Sequence, residues 1–350
     1  MVAQVGPFWT GPVSTWEKTL LTALPHTHYI SFPGTEFSYS NIGYAILGAA
    51  LSRVAGEPYV DWERTRVLEP LGMHRTRFEV DPSIQSDLAI GYEIRNDGSL
   101  DDQTAQNEAR DGRGYKVPNG AIFTTVDDLA RFVLFELGHG PDTVLPRSVL
   151  DDAFGGIVAS DASLQDGYGL GFMAMHQDGY FFLGHNGGVA GYVAAMYYDR
   201  ANKIGVVLFR NADGGKENPN RLAINILYGL AAKKRDQAQA DIERRMKARA
   251  AVPGSEAALR RVIGELQRGT PDYDLMSPGL ARATRQGLTQ MQGELAKLGA
   301  LRSLTFKGVG PAGPDIYESA FANGSLEWRI WLDQDGTVES LNFRAVPTPK

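Results

Sequence analysis

The chain has 350 residues, 43% apolar and 22% charged, a globular composition with enough length for two cores. Thirty-five basic side chains against 41 acidic leave a net charge of -6 spread along the chain, which excludes the concentrated basic face that nucleic-acid binding needs. The absence of cysteine excludes disulfides, thiolate metal sites and a cysteine nucleophile, and the longest apolar run, residues 42–51, is too short to span a membrane.

Residues 1–38 read as loop punctuated by Pro12, Pro25 and Pro33-Gly34, with Ser14-Thr-Trp-Glu17 a capping box for one short helix ending at Ala23. The first seven residues lack the basic and apolar regions of a signal peptide, and any such peptide would lie upstream of Met1. The compartment is therefore open between periplasmic or secreted and cytoplasmic. Asn41 is expected to cap a helix whose apolar side holds Ile42, Ala45, Ile46, Ala49 and Leu51 and which ends at Gly56. Another helix follows Pro58 over 59–67 and stops at Pro70 and Gly72. Residues 95–116, rich in Asp and Gly, read as an exposed loop. Thr125-Val-Asp-Asp128 reads as the capping box of a helix carrying Leu129, Phe132, Val133 and Leu137.

From Tyr180 the pattern changes to β-branched and aromatic runs over 180–183, 192–198 and 204–209, which predict three consecutive antiparallel strands. A helix from Pro219 to about Lys233 completes a first domain over 1–235. Seven of the seventeen residues from Lys233 to Arg249 are basic and three acidic, a charge run that reads as a solvated linker helix over 236–254, ended by Pro253-Gly254. Residues 255–350 contain helices over 259–266 and 280–298, then strands, of which Leu326-Glu-Trp-Arg-Ile-Trp-Leu332 meets 338–343 at the Asp335-Gly336 turn. Helices first and then a meander predict a small α+β domain of the cystatin or NTF2 type with a packing role. Asp333 and Asp335 lack the later ligands of a calcium loop, so neither a metal nor a cofactor is expected.

Three segments carry the chemistry. The first is Pro33-Gly-Thr-Glu-Phe-Ser-Tyr39-Ser40-Asn41, and the second Pro118-Asn-Gly-Ala-Ile-Phe-Thr-Thr-Val-Asp-Asp-Leu-Ala-Arg-Phe132. The third is Gly184-His185-Asn186-Gly187-Gly188-Val-Ala-Gly191, after Tyr168-Gly-Leu-Gly-Phe172. Alone, a Tyr-x-Asn is a weak signal. Here it sits in a Pro-Gly loop opening a helix, with His-Asn-Gly on the first of the three strands far downstream. In that order and context the segments resemble the serine β-lactamase-like, penicillin-recognising family: class C β-lactamases, D-alanyl-D-alanine carboxypeptidases, D-aminopeptidases and family VIII esterases.

The resemblance covers residues 1 to about 235 and implies an α+β fold with an antiparallel sheet flanked by helices. It also implies acyl transfer, in which a serine hydroxyl attacks a carbonyl, a base takes its proton and backbone amides stabilise the oxyanion. Tyr39 matches the family's proton-transfer tyrosine, whose phenol works at neutral pH only if cations lower its pKa. Asn41 matches the amide that orients lysine and substrate. His185-Asn186-Gly187 matches the family's Lys-Thr-Gly, and the Gly188 amide falls where the second oxyanion donor sits. Histidine in place of lysine offers only partial charge at pH 7, which implies a small ester or amide substrate, as in esterases and D-aminopeptidases, rather than efficient β-lactam hydrolysis.

The family's nucleophile lies in Ser-x-x-Lys, and the chain contains no such motif. Ser14 and Lys18 are four apart, in a helix the family uses otherwise, and Ser40 matches a variable position. Only 38 residues precede Tyr39, so the leading helix, the first strands and the serine helix are expected to be missing, as from a truncated reading frame. Such a chain would be an enzyme fragment, inactive as it stands, or a silent binding or sensor protein that keeps the pocket. Its sheet would expose an unpaired edge and an apolar face prone to self-association. A lipase-like reading of Gly184–Gly188 fails because no Gly-x-Ser-x-Gly elbow is present.

Overall fold

Apolar residues recurring every three or four positions bury one face of each helix, and alternating runs bury strands on both faces. The computed structural model describes residues 10–29, 37–103, 112–147, 149–150, 158–159, 167–177, 180–333 and 335–346. Pro33-Gly34 and most of the second half of the predicted 95–116 loop lie outside them. The chain divides into two compact units, Met1–Ala232 and Lys233–Lys350.

In the first unit, α1 (Trp16–Ala23) buries Trp16, Leu20 and Ala23. The predicted capping box does not form. A 3-10 turn over Val13–Thr15 precedes the helix, and the Thr15 hydroxyl donates to the Pro12 carbonyl at 3.1 Å. α2 (Asn41–Ala55) ends at Gly56, whose φ of 72° suits glycine. It buries Ile42, Ala45, Gly48 and Ala49, whereas Ile46 and Leu51 are exposed, with Leu47 and Val54, against expectation. Apolar residues circle this helix, so spacing alone could not say which side packs. Gly48 decides it: a Cβ there would stand 2.4 Å from the Pro118 Cγ of α4 (Val117–Gly120). Before that contact, α3 (Tyr59–Glu63) runs into a π turn over Arg64–Leu68.

The 95–116 region is not all loop. β1 (Tyr92–Ile94) and β2 (Leu100–Asp102) form a hairpin there, and Gly114, Tyr115 and Lys116 are buried in a 3-10 turn. α5 (Val126–Glu136) starts as predicted at Thr125, whose hydroxyl accepts from the Asp128 N–H at 3.2 Å. The Asp128 carboxylate does not reach back to complete the box. It accepts from the Arg75 N–H and the Thr76 hydroxyl at 2.8 and 2.9 Å, tying that segment to the helix.

The sheet holds six antiparallel strands in chain order rather than three: β3 (Val158–Ala159), β4 (Gly167–Gly169), β5 (Phe172–Gln177), β6 (Tyr180–Val189), β7 (Tyr192–Asp199) and β8 (Ile204–Arg210). Leu183, Tyr198 and Met196 pack with Val133 of α5 on one face. Phe182, Tyr197 and Val206 pack with Ala223 and Leu227 of α6 (Pro219–Ala248) on the other. Between these strands and α6, β9 (Ala212–Gly214) pairs parallel to β1.

Glu136, at the end of α5, is buried and accepts from the Tyr198 hydroxyl at 3.2 Å. Burial pushes its pKa up from 4.5 to about 7, against weaker downward pulls from that hydrogen bond and from Arg200. Between those two values the folded state holds a proton that the unfolded chain has released, so stability falls as pH rises through the window and levels off above it. Glu136→Gln is expected to flatten this slope and to stabilise the protein at pH 8 by on the order of 2 kcal/mol. Urea melts of both proteins at pH 5 and pH 8 check it.

α6 continues as one helix to Ala248, through the run predicted as a separate linker, because no proline or glycine interrupts it between Ala231 and Ala248. That run is not purely solvated. Arg245 is nearly buried and pairs with Asp315 and Asp241, each at 2.9 Å. In the second unit, α7 (Ser255–Arg268) and α8 (Pro278–Leu298) precede a four-stranded meander of β10 (Leu301–Val309), β11 (Asp315–Phe321), β12 (Gly324–Leu332) and β13 (Val338–Ala345). Leu259, Ile263, Leu295, Tyr317 and Trp328 form its core.

Candidate active site

Tyr39 stands two residues ahead of α2, half exposed. Ser40, not Asn41, is the N-cap: its extended backbone starts the helix, and its hydroxyl oxygen accepts from the Gly43 N–H at 3.1 Å. Asn41 is therefore the first helical residue, half-buried in the opening turn.

His185 comes from the middle of β6. Strand alternation puts it on the α5 side with Leu183 and its ladder partner Met196. Asn186 falls on the α6 side, where its amide donates to the Tyr197 hydroxyl at 3.0 Å and so ties β6 to β7. Gly187 and Gly188 are exposed, and a Cβ on either would meet nothing within 4 Å. This stretch of strand fronts open space.

The fold brings Tyr39 and His185 together, with ring centroids 6.2 Å apart. Tyr168 of β4 stands edge-on to both, at 6.2 Å from Tyr39 and 5.7 Å from His185, and Phe37 packs 5.7 Å from it. The Tyr168 hydroxyl lies 3.0 Å from His185 Nε2. The sequence motif contained Tyr168 but assigned it no role. Its signal was an aromatic residue ahead of the Leu170-Gly171 turn, where both residues have positive φ and the β4–β5 hairpin closes.

The electrostatics are those of a neutral site. Burial lowers the His185 pKa below the ordinary imidazole value, against an upward pull from the Asn186 carbonyl, so the neutral ring is favoured further at pH 7. Tyr39 is pushed above the ordinary phenol value, first by burial and then by the Tyr44 phenol. Among the described residues no cation offsets this, so Tyr39 is a neutral hydroxyl at pH 7. Among the described residues no group of His, Asp and Glu could hold a metal, and no helix is long and apolar enough to cross a membrane.

The family model described as Beta-lactamase matches residues 3–231. Beta-lactamase-like protein 4 of Dictyostelium discoideum is 26% identical over 247 residues, 66% of this chain and 42% of that protein. The chain thus spans under half the length of such relatives. The octameric penicillin-binding protein homologue from Pyrococcus abyssi superposes with a TM-score of 0.51 at 19% identity, over 95% of this chain and 60% of that one. The D-amino acid amidase from Ochrobactrum anthropi SV3, complexed with L-phenylalanine amide, gives 0.51 at 21% identity, over 65% and 66%. At those identities the likeness is one of fold, a mixed α+β architecture of the β-lactamase and transpeptidase type. The family match spans well over half of the chain, and this protein belongs to the β-lactamase family.

Proposed function

We propose that the chain carries the substrate pocket of a serine-type acyl hydrolase for small esters or D-amino-acid amides, in preference to β-lactams. The observation behind this is the meeting of Tyr39 with His185, whose burial disfavours the charged ring, across widely separated segments. In the reaction, a serine hydroxyl adds to the substrate carbonyl and its proton passes through Tyr39 to the departing alcohol or amine. Asn41 orients the lysine and the acyl group. The Gly188 N–H donates to the oxyanion beside Gly187, and His185 borders the acyl group without a positive charge. A lysine here would offer a fixed cation to the carboxylate of a β-lactam; a neutral imidazole offers none.

These 350 residues hold no Ser-x-x-Lys, and among the described residues no cation depresses the Tyr39 pKa. Both facts favour a second reading for the chain acting by itself, a binding or sensor protein that keeps the pocket without the chemistry. The chain is accordingly expected to show no saturable turnover of p-nitrophenyl acetate or nitrocefin above buffer. Saturable hydrolysis abolished by Tyr39→Phe, or a fluorophosphonate adduct mapped by mass spectrometry to any residue, would place a nucleophile within the chain and overturn that expectation. Among the described residues β8 pairs with β7 alone and contains no proline, which supports self-association through that edge as part of the proposal.

A further inference from the structure

We infer that Tyr168 is a positioning residue that holds His185 as the neutral Nδ1–H tautomer with its Nε2 occupied, so that the site selects ligands lacking a carboxylate. The selectivity half rests on the pocket proposed above. The tautomer half rests on the two ring hydrogen bonds together with burial, which disfavours the doubly protonated ring. His185 Nδ1 lies 2.6 Å from the Asn186 carbonyl oxygen, which can only accept, so Nδ1 carries the hydrogen. Nε2 is then a lone pair, and the Tyr168 hydroxyl at 3.0 Å donates to it. Tyr44 of α2 is hydrogen-bonded to Tyr168 in turn. Hydrogen bonds thus link Tyr44, Tyr168 and His185 to the β6 backbone.

Both ring nitrogens are committed to protein partners, leaving no N–H aimed at an anionic ligand. Among the described residues the titratable groups ranged about the imidazole are phenols: Tyr39 ahead of α2, Tyr44 on α2 and Tyr168 on β4. None of them is a cation that could replace the missing charge.

Long-range proton–nitrogen NMR of the labelled protein, with His185 assigned through His185→Gln, tests the tautomer. At pH 7 the wild type is expected to show a protonated Nδ1 and an unprotonated Nε2. Tyr168→Phe keeps the ring against Phe37 and Tyr39 and removes the donor. It is expected to raise the titration midpoint of His185 by about half to one pH unit, the worth of one neutral hydrogen bond. An Nε2–H tautomer in the wild type, a reading that needs no variant, overturns the inference, as does an unchanged midpoint in Tyr168→Phe. Selectivity is read by titrating N-acetyl-D-phenylalaninamide and N-acetyl-D-phenylalanine into the wild type. The amide is expected to bind at least about tenfold more tightly, the worth of roughly one charge-assisted hydrogen bond, and equal affinities overturn the selectivity half. If neither ligand moves the site resonances while the expected tautomer is present, the proposed substrate class fails and the role of Tyr168 stands.

Discussion

Gly184→Ala is expected to destabilise the first unit by about 3 kcal/mol or more and to dismantle the site with it. Gly184 faces Tyr197 in the β6–β7 ladder. A Cβ there would lie 2.1 Å from the Met196 carbonyl oxygen and 2.7 Å from the Tyr197 Cα. Both are backbone atoms, so no rotamer change relieves the clash and the strands must separate. His185 and Asn186 follow directly, and the Asn186–Tyr197 hydrogen bond spans the same strand pair. Gly187→Ala is the matched control, because its Cβ meets nothing within 4 Å; stability is expected within about 0.5 kcal/mol of wild type. Urea midpoints compare the two, and a Gly184→Ala protein melting like wild type would show that β6 and β7 do not pair as described.

Asp315→Ala is expected to cost the second unit about 3 to 5 kcal/mol, as loss of one member of a buried ion pair does. The Asp315 carboxylate is fully buried and accepts from Arg245 at 2.9 Å and from the Val252 N–H at 2.8 Å. Arg245 also donates to the Gly313 carbonyl at 2.9 Å, so the guanidinium cannot leave without breaking further bonds. Removing the carboxylate strands the Val252 N–H and leaves the largely buried guanidinium with only part-exposed Asp241 as its counter-charge. Asp315→Asn, which keeps an acceptor, is expected to lose about half as much. Fluorescence of Trp328, fully buried in this unit's core, follows the transition in urea. A loss below about 1 kcal/mol would mean that Arg245 finds water instead.

The parts of the fold readable beforehand are those where local pattern and final environment agree. Tyr180, Phe182, Tyr197, Tyr198 and Val206 lie in β-branched and aromatic runs, and their strands stand where the runs are. β5 was missed because Phe-Met-Ala-Met-His-Gln contains no β-branched residue, and its pairing with β6 supplies what propensity lacks. The charge run after Lys233 read as solvated, yet Arg245 is drawn inward by Asp315, seventy residues on, a partner that no local window contains. Ser40 took the cap expected of Asn41, one position earlier, within the usual uncertainty of a helix boundary.

Residue order by itself determined the family-bearing segments, the histidine at position 185, where the resemblance implies a lysine in other members, and the absence of a Ser-x-x-Lys pair. Tertiary structure decided that the rings of Tyr39, Tyr168 and His185 meet, that Asn186 turns to the sheet's other face, and that burial disfavours the charged imidazole. Motif spacing is a property of the chain, whereas desolvation and hydrogen-bond direction arise only when distant segments exclude water from the same place.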